Sequence, residues 1–327
     1  MNTEIIISIL IPMYNAAQTI QRCLDSLCMQ YPQVFEILII DDGSNDKSYE
    51  IVEYYSKQHT YIRLYKQSNQ GVAKTRQNLI DYAYGKYILF CDADDYLEQD
   101  AVYTIYNLIH ETMDKGLNVG MYIFGYNLIR KSGKRIIKRR FLPDGFFQKN
   151  EYSRQHIKGV PDLYWSALWN KCYRKDLCSK LEIQFEELLE DVMFNIDYIS
   201  GCESIYISDK VLYNYVQIGE SLTRSKKVDD EKSIFAALNA YNELYKKISK
   251  GYPKEEKIIT ECMYHYYKAL YLRAEEKSNE NICQLVRERY DEIQSSLGCK
   301  LYNVKLKAII RQIENKLKNR LRDWLHQ

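Results

Sequence analysis

The chain contains no run of eighteen apolar residues, so its 327 residues include no segment with the composition of a transmembrane helix. Its nine cysteines are scattered and form no Cys-x-x-Cys pair, which argues against a zinc site or a disulfide framework. The apolar stretch 5–11 is short for a secretion signal and has no basic segment before it. We therefore expect free thiols, a first β-strand at 5–11 and a cytoplasmic location.

The net charge of +2 is unevenly distributed. Residues 300–327 contain eight Lys or Arg residues and two acidic residues, a net charge of +6, so residues 1–299 carry −4. Apolar residues recur every three or four positions in this tail, at Leu306, Ile310, Ile313, Leu317, Leu321 and Trp324. The pattern predicts a basic amphipathic helix that either lies on anionic membrane, at the inner face of the cell membrane, or packs on the protein or a partner subunit. The oligomeric state stays open, and we expect no nucleic-acid partner.

Strand-like and helical patterns alternate through the first 115 residues. The predicted strands are 5–11, 35–40, 61–66 and 87–91, and the predicted helices between them are 16–29, 47–58 and 72–84. This alternation predicts an α/β fold in which helices cover a parallel sheet. Ligands of such sheets bind at the carboxyl ends of the strands, where polar residues of this chain are concentrated.

The rest of the chain is predicted more coarsely. It comprises a helix at 98–113, a strand at 119–130, an irregular stretch before a helix at 189–200, and short strands at 205–207 and 211–216. After about residue 226 the pattern is helical to the end. We therefore predict an α/β domain at 1–225 and a smaller α-helical region at 226–327.

An acidic cluster, Asp92-Ala93-Asp94-Asp95, directly follows the predicted strand 87–91. Three carboxylates within four residues repel one another and lose solvation when buried, and a hard divalent cation compensates for both effects. The cluster therefore predicts a metal site that takes a phosphorylated ligand. The alternative is a capping role, with Asp94 or Asp95 at the N-terminus of the helix predicted at 98–113.

Two further polar segments follow predicted strands, and each allows two interpretations. Asp41-Asp42-Gly43 is either a plain turn or a site where a carboxylate accepts a hydrogen bond from a base N–H or a ribose hydroxyl. Residues 69–76 open a helix whose N-terminal amides suit an anion. The alternative for this second segment is an exposed basic face formed by Lys74 and Arg76.

A third acidic site, Glu190 and Asp191, lies near the start of the helix predicted at 189–200 and off its apolar face. Acids at such a position usually serve the structure, because negative charge is favourable near a helix N-terminus. The alternative is a general base, which would have to face a cleft.

Several short motifs occur in one order along residues 4–225. They are Ile11-Pro12-Met13-Tyr14-Asn15, Asp41-Asp42-Gly43-Ser44, Asn69-Gln70-Gly71 with Arg76, Asp92-Ala93-Asp94-Asp95, Trp169-Asn170-Lys171-Cys172-Tyr173, Glu190-Asp191-x-x-Phe194 and Tyr213-Asn214-Tyr215. Each motif is short, but their joint order and spacing are specific. Together they resemble family 2 glycosyltransferases, the inverting GT-A-fold enzymes of bacterial surface and capsular polysaccharide assembly.

The resemblance implies roles for these residues. Asp92 and Asp94 look like the D-x-D pair of the family, in which Asp94 ligates Mn²⁺ or Mg²⁺ and Asp92 contacts ribose or the metal. Asp191, with Glu190 beside it, matches the base that takes a proton from the acceptor hydroxyl. The residues expected to bind the nucleotide-sugar donor are Pro12, Tyr14, Asn15, Asp41, Asp42, Gly71, Arg76, Asp92 and Ala93.

The resemblance also implies a reaction. It is the inverting, metal-dependent transfer of one hexosyl or N-acetylhexosaminyl group, with a UDP-sugar as the leading donor, to a hydroxyl of a glycan or lipid-linked oligosaccharide. The Gln-x-x-Arg-Trp motif of processive synthases is absent, which favours one sugar per encounter. Arg76-Gln77 stands where the family usually has Arg-Asn, so the hydrogen bonds of that segment are expected to differ. The alternative function is a catalytically silent relative that acts as a scaffold in polysaccharide assembly.

Overall fold

The computed structural model describes residues 4–130, 132–138, 142–160, 162–187, 189–217, 231–277 and 280–296. Ten strands in these ranges form one sheet: β1 (Ile7–Met13), β2 (Phe35–Asp41), β3 (Ile62–Lys66), β4 (Tyr87–Phe90), β5 (Tyr96–Leu97), β6 (Met121–Ile129), β7 (Arg135–Lys138), β8 (Gly145–Gln148), β9 (Lys171–Arg174) and β10 (Ser204–Val216). The helices are α1 (Ile20–Cys28), α2 (Ser48–Gln58), α3 (Val72–Tyr82), α4 (Ala101–Asp114), α5 (Lys149–Gly159), α6 (Leu163–Ser166), α7 (Lys175–Lys180), α8 (Glu190–Gly201), α9 (Glu231–Gly251), α10 (Glu256–Lys277) and α11 (Glu280–Ser296).

The sheet is mixed, but most of its strands share one direction. Its order is β3-β2-β1-β4-β9-β6-β10-β5, with β7 beside β6 and β8 beside β10. β1 to β4, β6 and β10 point the same way, whereas β5, β7, β8 and β9 run against their neighbours. Every residue of β2 and β4 is buried, and their mainly apolar sequences accordingly lack the polar–apolar alternation of a half-exposed strand. The predicted α/β fold, with a mostly parallel central sheet and flanking helices, is confirmed.

The strand register brings the predicted site to one edge of the sheet. Met13 at the end of β1 pairs with Asp41 at the end of β2. On the other side of β1, Leu10 pairs with Phe90, the last residue of β4. The chain therefore leaves all three strands at the same edge, and the loops that carry the acidic segments begin there.

The main departure from the sequence prediction lies in the segment expected to be irregular. It contains α5, α6 and β9, and β9 inserts between β4 and β6, where Cys172 pairs with both Leu89 and Tyr122. Four residues are too short a run to show strand periodicity, so this strand is fixed by its neighbours. The two short strands predicted at 205–207 and 211–216 are one strand, β10, with two register shifts.

The chain divides into two compact units, residues 1–227 with 243–254 and residues 228–242 with 255–327. The first unit contains the sheet, and the second is helical in its described part, where the Tyr267 hydroxyl donates to Asn242 Oδ1 at 2.6 Å. No helix in the described ranges is long and apolar enough to cross a membrane. The domain boundary after residue 225 and the helix predicted in 300–327 stay predictions, since residues 218–230 and 297–327 lie outside the described residues.

Candidate active site

The acidic segment after β4 forms a close cluster of carboxylates. One carboxylate oxygen from each of Asp92, Asp94 and Asp95 lies within 4.8 Å of the others. Although Asp94 lies at the surface, the surrounding protein displaces much of the solvent from its carboxyl, and this effect, followed by the neighbouring Asp92, raises the pKa of Asp94 to about 6. Burial and the adjacent carboxylates also raise the pKa of Asp95 well above its ordinary value. The arrangement therefore favours a positive charge among these groups.

Within this cluster, Asp95 is held by strand β10. It is fully buried, and its two carboxylate oxygens accept hydrogen bonds from the Val216 backbone N–H and the Tyr213 hydroxyl, each at 2.7 Å. The same Tyr213 oxygen accepts from the Asp92 backbone N–H at 3.1 Å. Both oxygens of Asp95 thus serve to tie the acidic loop to β10.

The capping role considered for Asp94 or Asp95 is wrong. Helix α4 begins at Ala101, and the preceding Asp100 makes no side-chain capping hydrogen bond. Asp95 has its donors on β10 instead, more than a hundred residues away in sequence, and local sequence gives no sign of that pairing.

Asp92 and Asp94 are the carboxylates that fit a metal ion. The side chain of Asp92 is 28% exposed and Asp94 lies at the surface, so both are open to a ligand. Their donor set consists of hard carboxylate oxygens, which suit Mg²⁺ or Mn²⁺. The raised pKa of Asp94 fits the same conclusion, because a bound cation would remove the repulsion that causes part of the rise.

A buried arginine connects this cluster to helix α8. Arg76 of α3 is 6% exposed; its Nη1 donates to Asp191 and lies 3.3 Å from Glu190 Oε1, and its Nη2 lies 3.2 Å from Asp92 Oδ1. Burial alone would lower the Arg76 pKa, but the three carboxylates hold it well above its ordinary value. The alternative of an exposed basic face is therefore wrong for Arg76, although Lys74 is exposed.

Asp191 lies in the first turn of α8 with its side chain 32% exposed. The surrounding protein nevertheless displaces much of its solvent, and this burial raises the pKa of Asp191 to about 7. The ion pair with Arg76 acts in the opposite direction, while the neighbouring Glu190 adds to the rise. A carboxylate with a pKa near neutrality and access to solvent is suited to accept a proton.

The N-terminus of α3 already holds an anion, the side chain of Asp42. Asp42 Oδ1 accepts from the Gln70 backbone N–H and from Gln67 Nε2, both at 2.8 Å, and its Oδ2 accepts from the Gly71 N–H at 2.9 Å. Gly71 has a φ of 86°, a conformation that favours glycine. Asp42 therefore joins the loop after β2 to the start of α3, as the polarity of a helix N-terminus allows.

Asp41 is fully buried at the end of β2. Its Oδ1 accepts from the Ser44 backbone N–H at 3.1 Å, whereas its Oδ2 has no hydrogen-bond partner within the described residues. Buried carboxylate oxygens are normally paired, so this oxygen is a candidate acceptor for a donor from outside these residues.

The loops after β1 and β2 are tied to each other by hydrogen bonds. The Asn15 N–H donates to Ser44 Oγ at 2.9 Å, and its side-chain oxygen accepts from the Asn45 N–H at 2.8 Å. Asn15 has a left-handed φ of 49°, which these bonds stabilise. Tyr14, the preceding residue, is 45% exposed and presents its ring to solvent at this edge of the sheet. Pro12 is half-buried in β1.

The predicted site residues thus form two networks. Arg76 directly joins Asp92, Glu190 and Asp191, while hydrogen bonds join the loops that carry the remaining polar residues. The two networks meet in α3, which begins after Gly71 and carries Arg76. The loop network comprises Asn15, Asp41, Asp42 and Gly71, and Ala93 is buried within the acidic loop.

Sequence reasoning gave no role to three residues that support this site. Tyr213 and Lys171 lie in two of the motifs that carry the family resemblance, and this is the sequence signal that could have indicated a role at the site. Asn195 carried none, because a polar residue four positions after Asp191 resembles any solvent-facing helix position. In the structure all three are fully or almost fully buried.

Comparisons with known proteins point to glycosyltransferases. The model of "Glycosyl transferase family 2" matches residues 8–168. Glycosyltransferase GlyA of Streptococcus pneumoniae is 30% identical over 260 residues, which are 76% of this chain and 36% of that protein. The uncharacterized glycosyltransferase EpsJ of Bacillus subtilis is 31% identical over 226 residues, 67% of this chain and 63% of that protein. The matched part of the chain therefore spans less than two thirds of these relatives.

The solved structures that resemble this chain include TarS of S. aureus. TarS residues 1–349 in complex with UDP-GlcNAc have a TM-score of 0.61 and 19% identity over 89% of this chain and 91% of that one. The complex of the same protein with UDP also has a TM-score of 0.61, at 21% identity over 80% of this chain and 72% of that one. Likeness at this level of identity shows a shared GT-A fold. The family match and the curated relatives show that residues 8–168 belong to glycosyltransferase family 2.

Proposed function

We propose that this chain transfers a single sugar from a UDP-sugar to a hydroxyl of a glycan or lipid-linked acceptor, with inversion and with a divalent metal. The observation that carries the proposal is the bridge made by Arg76. Its guanidinium contacts both Asp191 and Asp92, so a carboxylate suited to accept a proton lies close to one suited to bind a metal. The match to family 2 and the likeness to TarS, solved with UDP-GlcNAc, support the choice of donor.

The nucleoside would bind at the loops after β1 and β2. Tyr14 is exposed there, and Asp41 Oδ2 lacks a donor within the described residues, as expected of an acceptor for a base N–H. Pro12, Asn15 and Ala93 would shape the walls. Asp42 and Gly71 would act by holding the loops in place, since the Asp42 carboxylate is already occupied by backbone amides.

The diphosphate would bind at the acidic loop after β4. Asp94 and Asp92 would hold Mn²⁺ or Mg²⁺, and the bound ion would stabilise negative charge on the departing diphosphate. Asp95 would fix the loop from the side of β10, through its bonds to Tyr213 and Val216. Arg76 would keep Asp92 in position through its ion pair.

Asp191 would act as the base. Its carboxylate would take the proton of the acceptor hydroxyl while that oxygen attacks the anomeric carbon from the face opposite the diphosphate, which inverts the configuration. Glu190, also in contact with Arg76, would tune the Asp191 pKa by its negative charge. The side chain of Asp191 is open enough to solvent for an acceptor to reach it.

The proposal is tested by release of UDP from UDP-glucose, UDP-galactose, UDP-GlcNAc and UDP-GalNAc, with MnCl₂ and with bacterial membrane extract as the acceptor source. We expect one donor to be used, and Asp191→Asn to lose at least about a hundredfold in kcat while it still binds that donor. Asp191→Asn with full activity would refute the assigned base. Donor binding by the wild type without any turnover would favour a silent scaffold.

The location at the inner face of the membrane is a separate part of the proposal, and it depends on residues 300–327. The 1–327 chain should bind vesicles that contain anionic lipid, added salt should weaken this binding, and a 1–299 variant should not bind. Equal binding by both proteins would assign the tail to packing instead.

A further inference from the structure

We infer that Asn195 and Tyr173 are positioning residues that fix the catalytic helix turn of Asp191 relative to the metal-binding loop. The inference rests on the proposed role of Asp191. Both residues are buried, with Asn195 1% exposed and Tyr173 fully buried. Their contacts form a continuous path from α8 to the end of β4.

The path begins at the side chain of Asn195, one helical turn after Asp191. Its amide nitrogen lies 3.0 Å from the Asp191 carbonyl oxygen, 2.7 Å from that of Ser166 and 3.2 Å from that of Ala167. Asn195 therefore links the backbone of Asp191 to the last residue of α6 and to the residue that follows it. Arg76 holds the side chains of Glu190 and Asp191 in this first turn of α8, and Asn195 adds a bond to the backbone of the same turn.

These partners also determine which way the amide is turned. Three carbonyl oxygens surround one end of the Asn195 side chain, so that end must be the nitrogen, which donates. The amide oxygen then faces the Tyr173 hydroxyl, which donates to it at 2.8 Å. The hydroxyl and the amide thus act as one unit in which every bond has a defined direction.

Tyr173 continues the path to the metal-binding loop. It lies in β9 and pairs with Ile88 of β4, and the next pair along is Cys172 with Leu89. Asp92 follows Leu89 by three residues, at the point where β4 leaves the sheet. Because β9 is paired with β4, the bond from the Tyr173 hydroxyl to Asn195 fixes the first turn of α8, which carries Asp191, relative to Asp92 at the end of β4.

Lys171 of β9 contacts the Ala167 carbonyl, which is also a partner of Asn195. Its buried Nζ lies 2.9 Å from the Tyr164 carbonyl oxygen and 2.8 Å from Asn170 Oδ1, and contacts the Ala167 carbonyl at 2.5 Å. The Ala167 carbonyl that Asn195 contacts is thereby held in place by β9 as well. Asn195 consequently joins Asp191 to β9 in two ways, directly through Tyr173 and indirectly through the Ala167 carbonyl that Lys171 contacts.

Tyr173→Phe is the variant that removes this link with least disturbance. It deletes one hydroxyl, keeps the ring and its packing, and leaves the Asn195 oxygen without its donor. Tyr198→Phe is a matched control, because Tyr198 is also a fully buried tyrosine and lies on α8 itself, farther along the helix from Asp191. Its hydroxyl donates to the Gly120 and Arg174 carbonyls, at 2.8 and 2.9 Å, and it lies seven residues beyond Asp191 on α8.

The experiment compares both variants by steady-state UDP release and by hydrogen–deuterium exchange. For Tyr173→Phe we expect kcat to fall by about tenfold to a hundredfold with the donor KM unchanged, because a small displacement of the base costs rate and not donor binding. Exchange should accelerate in peptides covering 189–195. Tyr198→Phe should lose comparable thermal stability but keep kcat and leave exchange at 189–195 unchanged.

Each result has a separate meaning. Equal kcat values for the two variants, or a kcat loss in Tyr173→Phe that is matched by weaker donor binding, would overturn the positioning role. If the wild type releases no UDP from any donor, the proposed function fails. The exchange data then decide the positioning alone, since unchanged exchange at 189–195 in Tyr173→Phe would overturn it.

Discussion

The Arg76 guanidinium donates a hydrogen bond to the carboxylate of Asp191, 115 positions away in the sequence. Through its other terminal nitrogen the same guanidinium contacts Asp92, on the loop that we propose binds the metal. One buried cation therefore compensates carboxylates that come from two different parts of the fold. The positive charge of Arg76 offsets the repulsion between the carboxylates of the proposed base and of the proposed metal site, so that the two can lie close together.

Arg76→Met should destabilise the protein by about 2–3 kcal/mol, because removing one partner of a buried ion pair leaves the others uncompensated, while partial exposure of the carboxylates limits the loss. Urea unfolding measures the difference. Lys74→Met on the exposed part of the same helix is the control, with an expected change within about 0.5 kcal/mol. Equal stabilities of the two variants would show that Arg76 carries no special share of the site's stability.

The rate of transfer should rise with pH through about 7, because burial raises the pKa of Asp191 to about 7 and a base acts only when it is deprotonated. Glu190 contributes to that rise, so Glu190→Gln should move the midpoint of the kcat profile to lower pH. The profile is measured at saturating donor and MnCl₂. A midpoint that Glu190→Gln leaves in place, or moves upward, would contradict the assignment.

Asp95→Asn should bind Mn²⁺ nearly as well as the wild type, whereas Asp92→Asn should bind it at least about tenfold more weakly. Both carboxylate oxygens of Asp95 accept hydrogen bonds, one from Tyr213 and one from Val216. An asparagine at this position can still accept from the Val216 N–H and donate to the Tyr213 oxygen. Titration calorimetry with MnCl₂ alone measures both affinities. Stronger damage from Asp95→Asn than from Asp92→Asn would identify Asp95 as a ligand.

His156 should make stability fall in mild acid. It is buried with Nδ1 2.7 Å from the Tyr252 hydroxyl, and burial, followed by Lys171, lowers the His156 pKa to about 3. Between the ordinary value of 6.5 and about 3 the unfolded chain binds a proton that the folded chain does not, so stability decreases as pH falls, by at most about 1.4 kcal/mol per pH unit.

Urea unfolding between pH 7 and pH 4.5 tests this dependence. His156→Gln removes the titrating group and keeps a polar side chain near Tyr252, so its free energy of unfolding should fall less steeply with decreasing pH than that of the wild type. Parallel curves for the two proteins would mean that His156 titrates normally.

The strands that build the site edge could be predicted from the sequence because they are buried apolar runs. β2 and β4 lie within one residue of the predicted bounds and β1 within two, and acids stand at the ends of β2 and β4 as expected. The roles of individual acids could not be predicted in the same way. Asp42 and Asp95 bind the protein's own donors, and these donors come from segments brought near only by the strand order.

Two other features depend on long-range packing in the same sense. The burial of Arg76 follows from three carboxylates on other elements, whereas its local sequence is equally consistent with an exposed helix face. β9 pairs with β4 and β6 on both sides, and this pairing compensates for a sequence with little strand character. In each case the decisive partner lies far away along the chain.

We propose that a metal on Asp92 and Asp94 binds the donor diphosphate, and calorimetric titration of the four UDP-sugars with and without MnCl₂ tests this claim. We expect one donor to bind the wild type only when Mn²⁺ is present, and Asp94→Asn to lose that binding while it remains folded. Binding of the same strength without the metal, or in Asp94→Asn, would contradict the claim.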